Sequence, residues 1–69
     1  MLENRVREFR EKRKLTQTKL AEAVQVSRQT IHSIENCNGV PTVEIAIKMA
    51  TAMKTSVGTL FFVSSRKHQ

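Results

Sequence analysis

The 69-residue sequence contains only one cysteine, one proline and two glycines, and it has no tryptophan or tyrosine. The single cysteine, Cys37, excludes a disulfide within the chain, and an unpaired thiol is typical of a reducing cytoplasm. Cys37, His32 and His68 are its only soft metal ligands, and no two of them are spaced as ligands of one ion, so we expect no metal site. No stretch approaches the roughly 20 apolar residues of a membrane-spanning helix, and the charged N-terminal region is unlike a signal peptide. We therefore expect a cytoplasmic protein with no membrane-spanning segment.

The chain carries more positive than negative charge. Lysine and arginine number 12 against 6 aspartate and glutamate residues, which gives a net charge of +6 and an isoelectric point near 10.3. An excess of this size in one small domain favours a polyanionic partner, and both nucleic acid and an anionic membrane surface qualify. The alternative interpretation is a basic surface that only keeps the protein in solution.

The residue patterns that carry enzymatic chemistry are missing from the sequence. It shows no nucleophile beside a base, no paired carboxylates, no glycine-rich phosphate loop and no cluster of metal ligands. We therefore expect a binding protein rather than an enzyme, and we expect it to need no cofactor.

The scarcity of glycine and proline, together with short β-branched runs, predicts a single all-α domain. The predicted N-caps of its helices are the hydroxyl or amide side chains of Asn4, Thr16, Ser27, Thr42 and Ser56. The predicted helices cover about residues 4–14, 17–24, 28–36, 43–54 and 57–61, and residues 64–69 form a polar, basic tail.

Apolar residues at helical spacing predict which side of each helix is buried. In the fourth helix the predicted inward residues are Val43, Ala46, Met49, Ala50 and Met53. In the first helix Arg10 falls on the same side as Val6 and Phe9, where a charge is costly without a partner. Glu3 and Arg7 are predicted to form an i,i+4 ion pair on the same helix.

The third predicted helix has two chemically different sides. At 100° per residue, Ile31 and Ile34 fall on the inner side. The outer side carries Gln29, His32, Ser33 and Asn36, with Arg28 at its margin. It has no aliphatic or acidic residue, so it suits base edges: arginine pairs with guanine and glutamine with adenine, each good pair discriminating by about 1–3 kcal/mol. The alternative interpretation is a solvated helix side that happens to be polar.

Two helices joined by a three- or four-residue turn make up a helix-turn-helix unit, in which the second helix enters the major groove of double-stranded DNA. Residues 15–21, LTQTKLA, and residues 26–36, VSRQTIHSIEN, resemble the helix-turn-helix signature of the Cro/C1-type (Xre) family. Residues 41–46, PTVEIA, resemble the start of the family's fourth helix. The resemblance extends from about Asn4 to Phe61. It implies a compact five-helix, lambda-repressor-like DNA-binding domain that represses or activates transcription from operator DNA.

The resemblance also implies roles for individual residues. The positions that match the base-reading residues of the family are Arg28, Gln29, His32 and Ser33. The positions that match phosphate-contacting or capping residues are Gln17, Thr30, Asn36 and Asn38. Family members often pair an arginine of the first helix with a glutamate near the end of the third. Here that pair is Arg10 and Glu35, and we expect it to set the pose of the recognition helix.

Two positions depart from the pattern of the family. The turn between the second and third helices often carries glycine, and here it carries Gln25; another frequent glycine, after the third helix, is replaced by Cys37. Glycine takes positive φ at little cost, so we expect mild strain at Gln25. At the end of the third helix we expect Asn36 or Asn38 to adopt the left-handed conformation in place of that glycine.

One recognition helix reads only a few base pairs, so specific binding usually requires a homodimer whose two helices lie about 34 Å apart on a pseudo-palindrome. The predicted interface is a C-terminal apolar cluster formed by Val57, Phe61, Phe62 and Val63. We also expect residues 1–3 and 62–64 to pair as short strands beside that interface, as in some small members of the family. Two rival interpretations remain: an antitoxin that binds a toxin protein as well as its own operator, and a coactivator-like module that binds proteins instead of DNA.

Overall fold

The structure is a computed structural model that describes residues 1–64, and the two ends of this described part meet. Strand β1 (Leu2–Asn4) pairs antiparallel with strand β2 (Phe61–Val63), with Leu2 opposite Val63. Between the strands lie helices α1 (Val6–Lys12), α2 (Gln17–Val24), α3 (Arg28–Glu35), α4 (Val43–Ala52) and α5 (Val57–Leu60). The predicted five-helix domain with a terminal strand pair is confirmed. Residues 65–69 of the predicted tail lie outside the described part of the chain.

Helices α2 to α5 begin at a hydroxyl side chain, as the sequence predicts. Each cap accepts a hydrogen bond of 3.0–3.1 Å from the backbone amide three residues later, and the four caps are Thr16, Ser27, Thr42 and Ser56. Helix α1 differs, because it begins at Val6 with Arg5 in the cap position. Asn4 is held in β1 opposite Phe61, so its backbone is not available to start a helix two residues earlier. Its Oδ1 still accepts from the Val6 amide at 3.1 Å.

Helices α1 to α4 are each followed by a residue with left-handed backbone geometry, and none of these residues is glycine. The φ angles are 58° at Lys14, 64° at Gln25, 60° at Cys37 and 55° at Lys54. Two backbone hydrogen bonds close each helix there. At the end of α3, the Cys37 amide donates to the Ile34 carbonyl at 3.0 Å, and the next amide donates to the Ser33 carbonyl at 2.8 Å. The double closure supplies partners to carbonyls that a helix end leaves free.

This geometry corrects two predictions about helix ends. Cys37 itself adopts the left-handed conformation that we expected of Asn36 or Asn38, and Asn36 has a φ of −93°. Helices α1 and α4 end at Lys12 and Ala52, two residues before their predicted ends, because the final predicted residue of each takes positive φ.

Each helix contributes to the core at least one side chain with no exposed surface. These are Val6, Leu20, Ile31, Met49 and Leu60. The prediction for α4 is wrong at Val43, which is 76% exposed because it lies in the first turn at the margin of the buried stripe. Phe61 is extended rather than helical, and its side chain completes the core with only 9% of its surface exposed. Within residues 1–64, no helix is both long and apolar enough to cross a membrane.

Candidate nucleic-acid interface

Helices α2 and α3 are joined by three residues, numbers 25–27. Gln25 turns the chain with φ 64° and ψ 44°, which is left-handed backbone geometry. The expected strain follows, because a residue with a Cβ atom adopts this conformation less readily than glycine. The Val26 amide donates to the Ala21 carbonyl at 3.0 Å, which closes the turn. Lys48 Nζ donates to the Gln25 side-chain oxygen at 3.0 Å and ties the turn to α4. The two helices therefore form a rigid helix-turn-helix unit that rests on α4.

One side of α3 remains open to solvent. Arg28, Gln29 and His32 are exposed there, and Ser33 is half-buried. Ser33 is partly covered because the following loop folds back on it: a Cβ built on Gly39 lies 3.8 Å from the Ser33 Cβ. The helix thus brings the four predicted base-reading residues onto one surface, opposite its buried isoleucines.

Three of the predicted phosphate contacts lie on or beside α3. Thr30 is half-buried, and its hydroxyl lies 3.0 Å from the Ser27 hydroxyl, so it belongs to the N-cap. Asn36 is exposed, and its Nδ2 lies 3.1 Å from Nε2 of His32, a residue predicted to read bases. Asn38 is exposed in the loop after the helix. Their phosphate contacts stay predictions.

The carboxylate of Glu35, at the end of α3, is fully buried and receives bonds from both other helices of the N-terminal half. Arg10 Nε donates to Oε2 at 2.6 Å and Arg10 Nη2 donates to Oε1 at 3.3 Å. Gln17 Nε2 donates to Oε1 at 3.1 Å, and Arg7 Nε donates to the same oxygen at 3.4 Å. Arg10 also donates from Nη1 to the Leu15 carbonyl at 2.7 Å. Glu35 therefore joins α3 to α1 and to the start of α2.

The ionisation of this cluster follows from its contacts. Burial by itself raises the pKa of the Glu35 carboxyl, but hydrogen bonds from Arg10 and Gln17 and the charge of Arg10 outweigh it, so the pKa lies below its usual range. The hydrogen bond to Glu35, opposed by burial, raises the pKa of the Arg10 guanidinium. Both groups are therefore charged at neutral pH, and the arginine that was predicted on an apolar side has its partner.

Gln17 links this cluster to the exposed side of α3. Its Nε2 donates to Glu35, and its Oε1 accepts from Arg28 Nη1 at 3.1 Å. The residue predicted to contact phosphate thus also orients the arginine predicted to read a base. A continuous chain of hydrogen bonds runs from Arg10 through Glu35 and Gln17 to Arg28.

Sequence reasoning missed two contacts of α3. Asn4 Nδ2 donates to the Ile34 carbonyl at 2.8 Å, across 30 residues of chain, and no sequence signal marks that contact. Arg7 was predicted to pair with Glu3, but Glu3 lies in β1, and Arg7 approaches Glu35 instead. The helical spacing of Arg7 and Arg10, one turn apart, was the signal that both face the same partner.

The predicted dimer residues have unequal exposure. Val57 is 37% exposed, and Val63 is 71% exposed. Phe62 is half-buried, with the Arg5 guanidinium 4.8 Å from the centre of its ring. Successive strand residues point to opposite sides, so Phe61 points into the core and has little surface left for a partner. Its predicted place in the interface is therefore not supported by its burial.

The chain is similar to known transcriptional regulators over most of its length. The profile of the family described as helix-turn-helix matches residues 6–60. An uncharacterized HTH-type transcriptional regulator of Bacillus subtilis (strain 168), YgzD, is 34% identical over 62 residues, covering 90% of this chain and 94% of that protein. An uncharacterized HTH-type transcriptional regulator of Archaeoglobus fulgidus is 37% identical over 60 residues, covering 87% of this chain and 86% of that protein. The crystal structure of the clp gene regulator ClgR from Corynebacterium glutamicum matches with a TM-score of 0.73 and 29% identity, over 75% of this chain and 55% of that chain.

Proposed function

We propose that this protein is a repressor that binds a pseudo-palindromic operator as a homodimer. The premise of the proposal is that the chain belongs to the Cro/C1-type helix-turn-helix family and is a DNA-binding transcriptional regulator. Each copy inserts α3 into the major groove of one half-site. Occupancy of the operator excludes other proteins from the same DNA, so repression requires no further surface. The protein acts in the cytoplasm, where it meets the DNA.

The observation that carries this proposal is the open side of α3, which offers hydrogen-bonding groups and no acid. A recognition helix enters the groove by its N-terminal end, which places Arg28 and Gln29 nearest the base edges. Arg28 donates to a guanine, Gln29 pairs with an adenine, and His32 and Ser33 read the next base pairs one turn along. Orientation of Arg28 by Gln17 before binding reduces the side-chain entropy lost when the base contact forms.

Phosphate contacts on both sides of the groove set the register of α3. Gln17 begins α2, where the helix dipole favours an anion, and Thr30 lies near the start of α3. Asn36 and Asn38 lie at the other end of α3 and contact phosphates of the other DNA strand. Such contacts position the protein without carrying sequence information.

The dimer forms through the apolar surface around β2. Val63 of β2 and Met1, which precedes β1, are 71% and 79% exposed, and Val57 is exposed on α5. Phe62 contributes the face that Arg5 leaves open. Phe61 supports this surface from within the core rather than contacting the partner.

Selection of bound sequences from a random DNA pool tests the proposal. We expect an inverted repeat whose half-sites are centred one helical turn apart, at about 10 base pairs. Arg28→Ala should relax the preference at one base pair per half-site by about 1–3 kcal/mol. Lys19→Ala, which removes an exposed cation of α2, should leave the sequence preference unchanged. Salt-sensitive binding without any recovered motif would refute sequence-specific recognition.

A further inference from the structure

A recess of about 220 Å³ lies between α3 and the loop that follows it. Gln29 and Ser33 line it on the side of α3, and Val40 and Pro41 line it on the side of the loop. None of the nine residues that line it carries a charge. The recess therefore adds an apolar wall to a surface that is otherwise polar along the helix.

Val40 is the most exposed of the hydrophobic residues that line the recess. Its side chain is 80% exposed, although it belongs to a loop that is fixed against α3. The Asn38 amide donates to the Ser33 carbonyl at 2.8 Å, and Pro41 restricts the backbone on the other side of Val40. A β-branched side chain has few rotamers, so Val40 presents its methyl groups in a defined place in the lining of the recess.

We propose that this recess receives the C5-methyl group of a thymine in the operator, which makes Val40 a specificity-determining residue. The inference rests on the proposed function, because it requires α3 in the major groove. The thymine methyl is the apolar group that a base pair presents there. Gln29 and Ser33 form one wall of the recess and also belong to the base-reading side of α3, so the recess opens toward the base edges.

Other occupants fit the recess less well. A phosphate is bound by cations and hydrogen-bond donors, whereas the lining contains no cation and its loop side is formed by the apolar residues Val40 and Pro41. A second copy of the chain needs an interface of roughly 1,000 Å² or more, which is far larger than this recess. A thymine methyl needs only a small apolar surface next to hydrogen-bonding groups, and the recess supplies both.

The test compares thymine with deoxyuridine, which lacks only the methyl group. After an operator is selected with the wild-type protein, each thymine is replaced in turn and the dissociation constant is measured by fluorescence anisotropy. We expect about a fourfold loss at one position per half-site, the fold-change equivalent to ~0.8 kcal/mol per buried CH₂ group. Val40→Thr keeps the β-branched shape and replaces one of the two methyl groups with a hydroxyl, so it should reduce the difference between thymine and deoxyuridine at that position.

Val43→Thr is the matched control, because Val43 is 76% exposed on α4 and does not line the recess. This variant should keep the full thymine preference of the wild-type protein. Uniform tolerance of deoxyuridine by the wild-type protein, or an unchanged preference in Val40→Thr, overturns the inference while sequence-specific binding stands. If Val40→Thr dimerises more weakly than the wild-type protein in sedimentation, the inference is overturned, because the recess then contacts a second copy of the chain. Recovery of no operator sequence overturns both this inference and the proposed function.

Discussion

Replacing Glu35 with alanine tests how the recognition helix is held. The substitution removes the acceptor of Arg10, Gln17 and Arg7 at once, and it leaves the Arg10 guanidinium beside an uncharged site. Arg10 cannot turn fully into water, because only 11% of its side chain is exposed. The variant therefore creates an unpaired charge that is largely buried.

The expected loss is about 3 kcal/mol of unfolding free energy. Removing one partner of a buried ion pair costs about 3–5 kcal/mol, and the Leu15 carbonyl still accepts from Arg10, which favours the lower end. A domain of this length has a total stability of about 3–10 kcal/mol. Glu35→Ala should consequently be folded only marginally at neutral pH.

Urea unfolding followed by far-ultraviolet circular dichroism measures this loss, since the chain has no tryptophan to report by fluorescence. The pH dependence provides a second check. The pKa of Glu35 is lower in the folded state, so its contribution is complete above the unfolded pKa of about 4.3 and is lost as the pH falls through the folded value. The difference between the wild-type protein and Glu35→Ala should narrow below about pH 4.

The control is Glu22→Ala, which breaks the exposed pair of Lys19 and Glu22 at 4.0 Å. An exposed pair contributes about 0–1 kcal/mol, so this variant should unfold close to the wild-type midpoint. If Glu35→Ala also changes the unfolding free energy by less than ~0.5 kcal/mol, the ion pair does not hold α3 in place.

Three further predictions follow from the contacts around α3 and the terminal strands. Cys37→Gly should raise the unfolding free energy by about 0.5–1 kcal/mol, because glycine relieves the left-handed strain at φ 60°; a lower melting temperature than that of Cys37→Ala would contradict this. Asn4→Ala should cost about 1–3 kcal/mol in urea unfolding, because it removes the hydrogen bonds to the Ile34 carbonyl and from the Val6 amide, each worth about 0.5–1.5 kcal/mol, and wild-type stability would show that water replaces both bonds. Val63→Asp should convert the proposed dimer to a folded monomer in sedimentation equilibrium, and a dimer that persists in this variant would place the interface away from β2.

Local patterns predicted the parts of the fold that depend on local chemistry. Hydroxyl caps at Thr16 and Ser27 placed the starts of α2 and α3, because a cap bonds to an amide three residues away. Helix ends were harder, since Lys14 and Lys54 are ordinary helix formers and nothing in their chemistry marks a left-handed residue. The pairing of Arg10 and Glu35 came from the family resemblance rather than from spacing.

Local patterns could not predict contacts between segments that are distant in the sequence. The place of Val40 and Ser33 in one recess depends on how the loop after α3 closes, and the bond from Asn4 to Ile34 depends on the pairing of the terminal strands. Periodicity describes one element at a time, so it assigned Asn4 only a capping role. The same reasoning treated the base-reading side as wholly polar, because it considered α3 without its loop.

The recognition helix is therefore positioned from outside the helix-turn-helix unit, and at its C-terminal end by two independent contacts. Glu35 fixes that end to α1, and Asn4 fixes the adjacent Ile34 carbonyl to β1. Because β1 pairs only with β2 in the described chain, and β2 carries the proposed dimer surface, the same short sheet connects the partner copy to the end of α3. A change at the dimer surface should then alter the spacing or orientation of the two recognition helices before it alters the chemistry of base recognition. Preference for half-site spacing, rather than for individual bases, is the property that substitutions at Phe62 or Asn4 should change first.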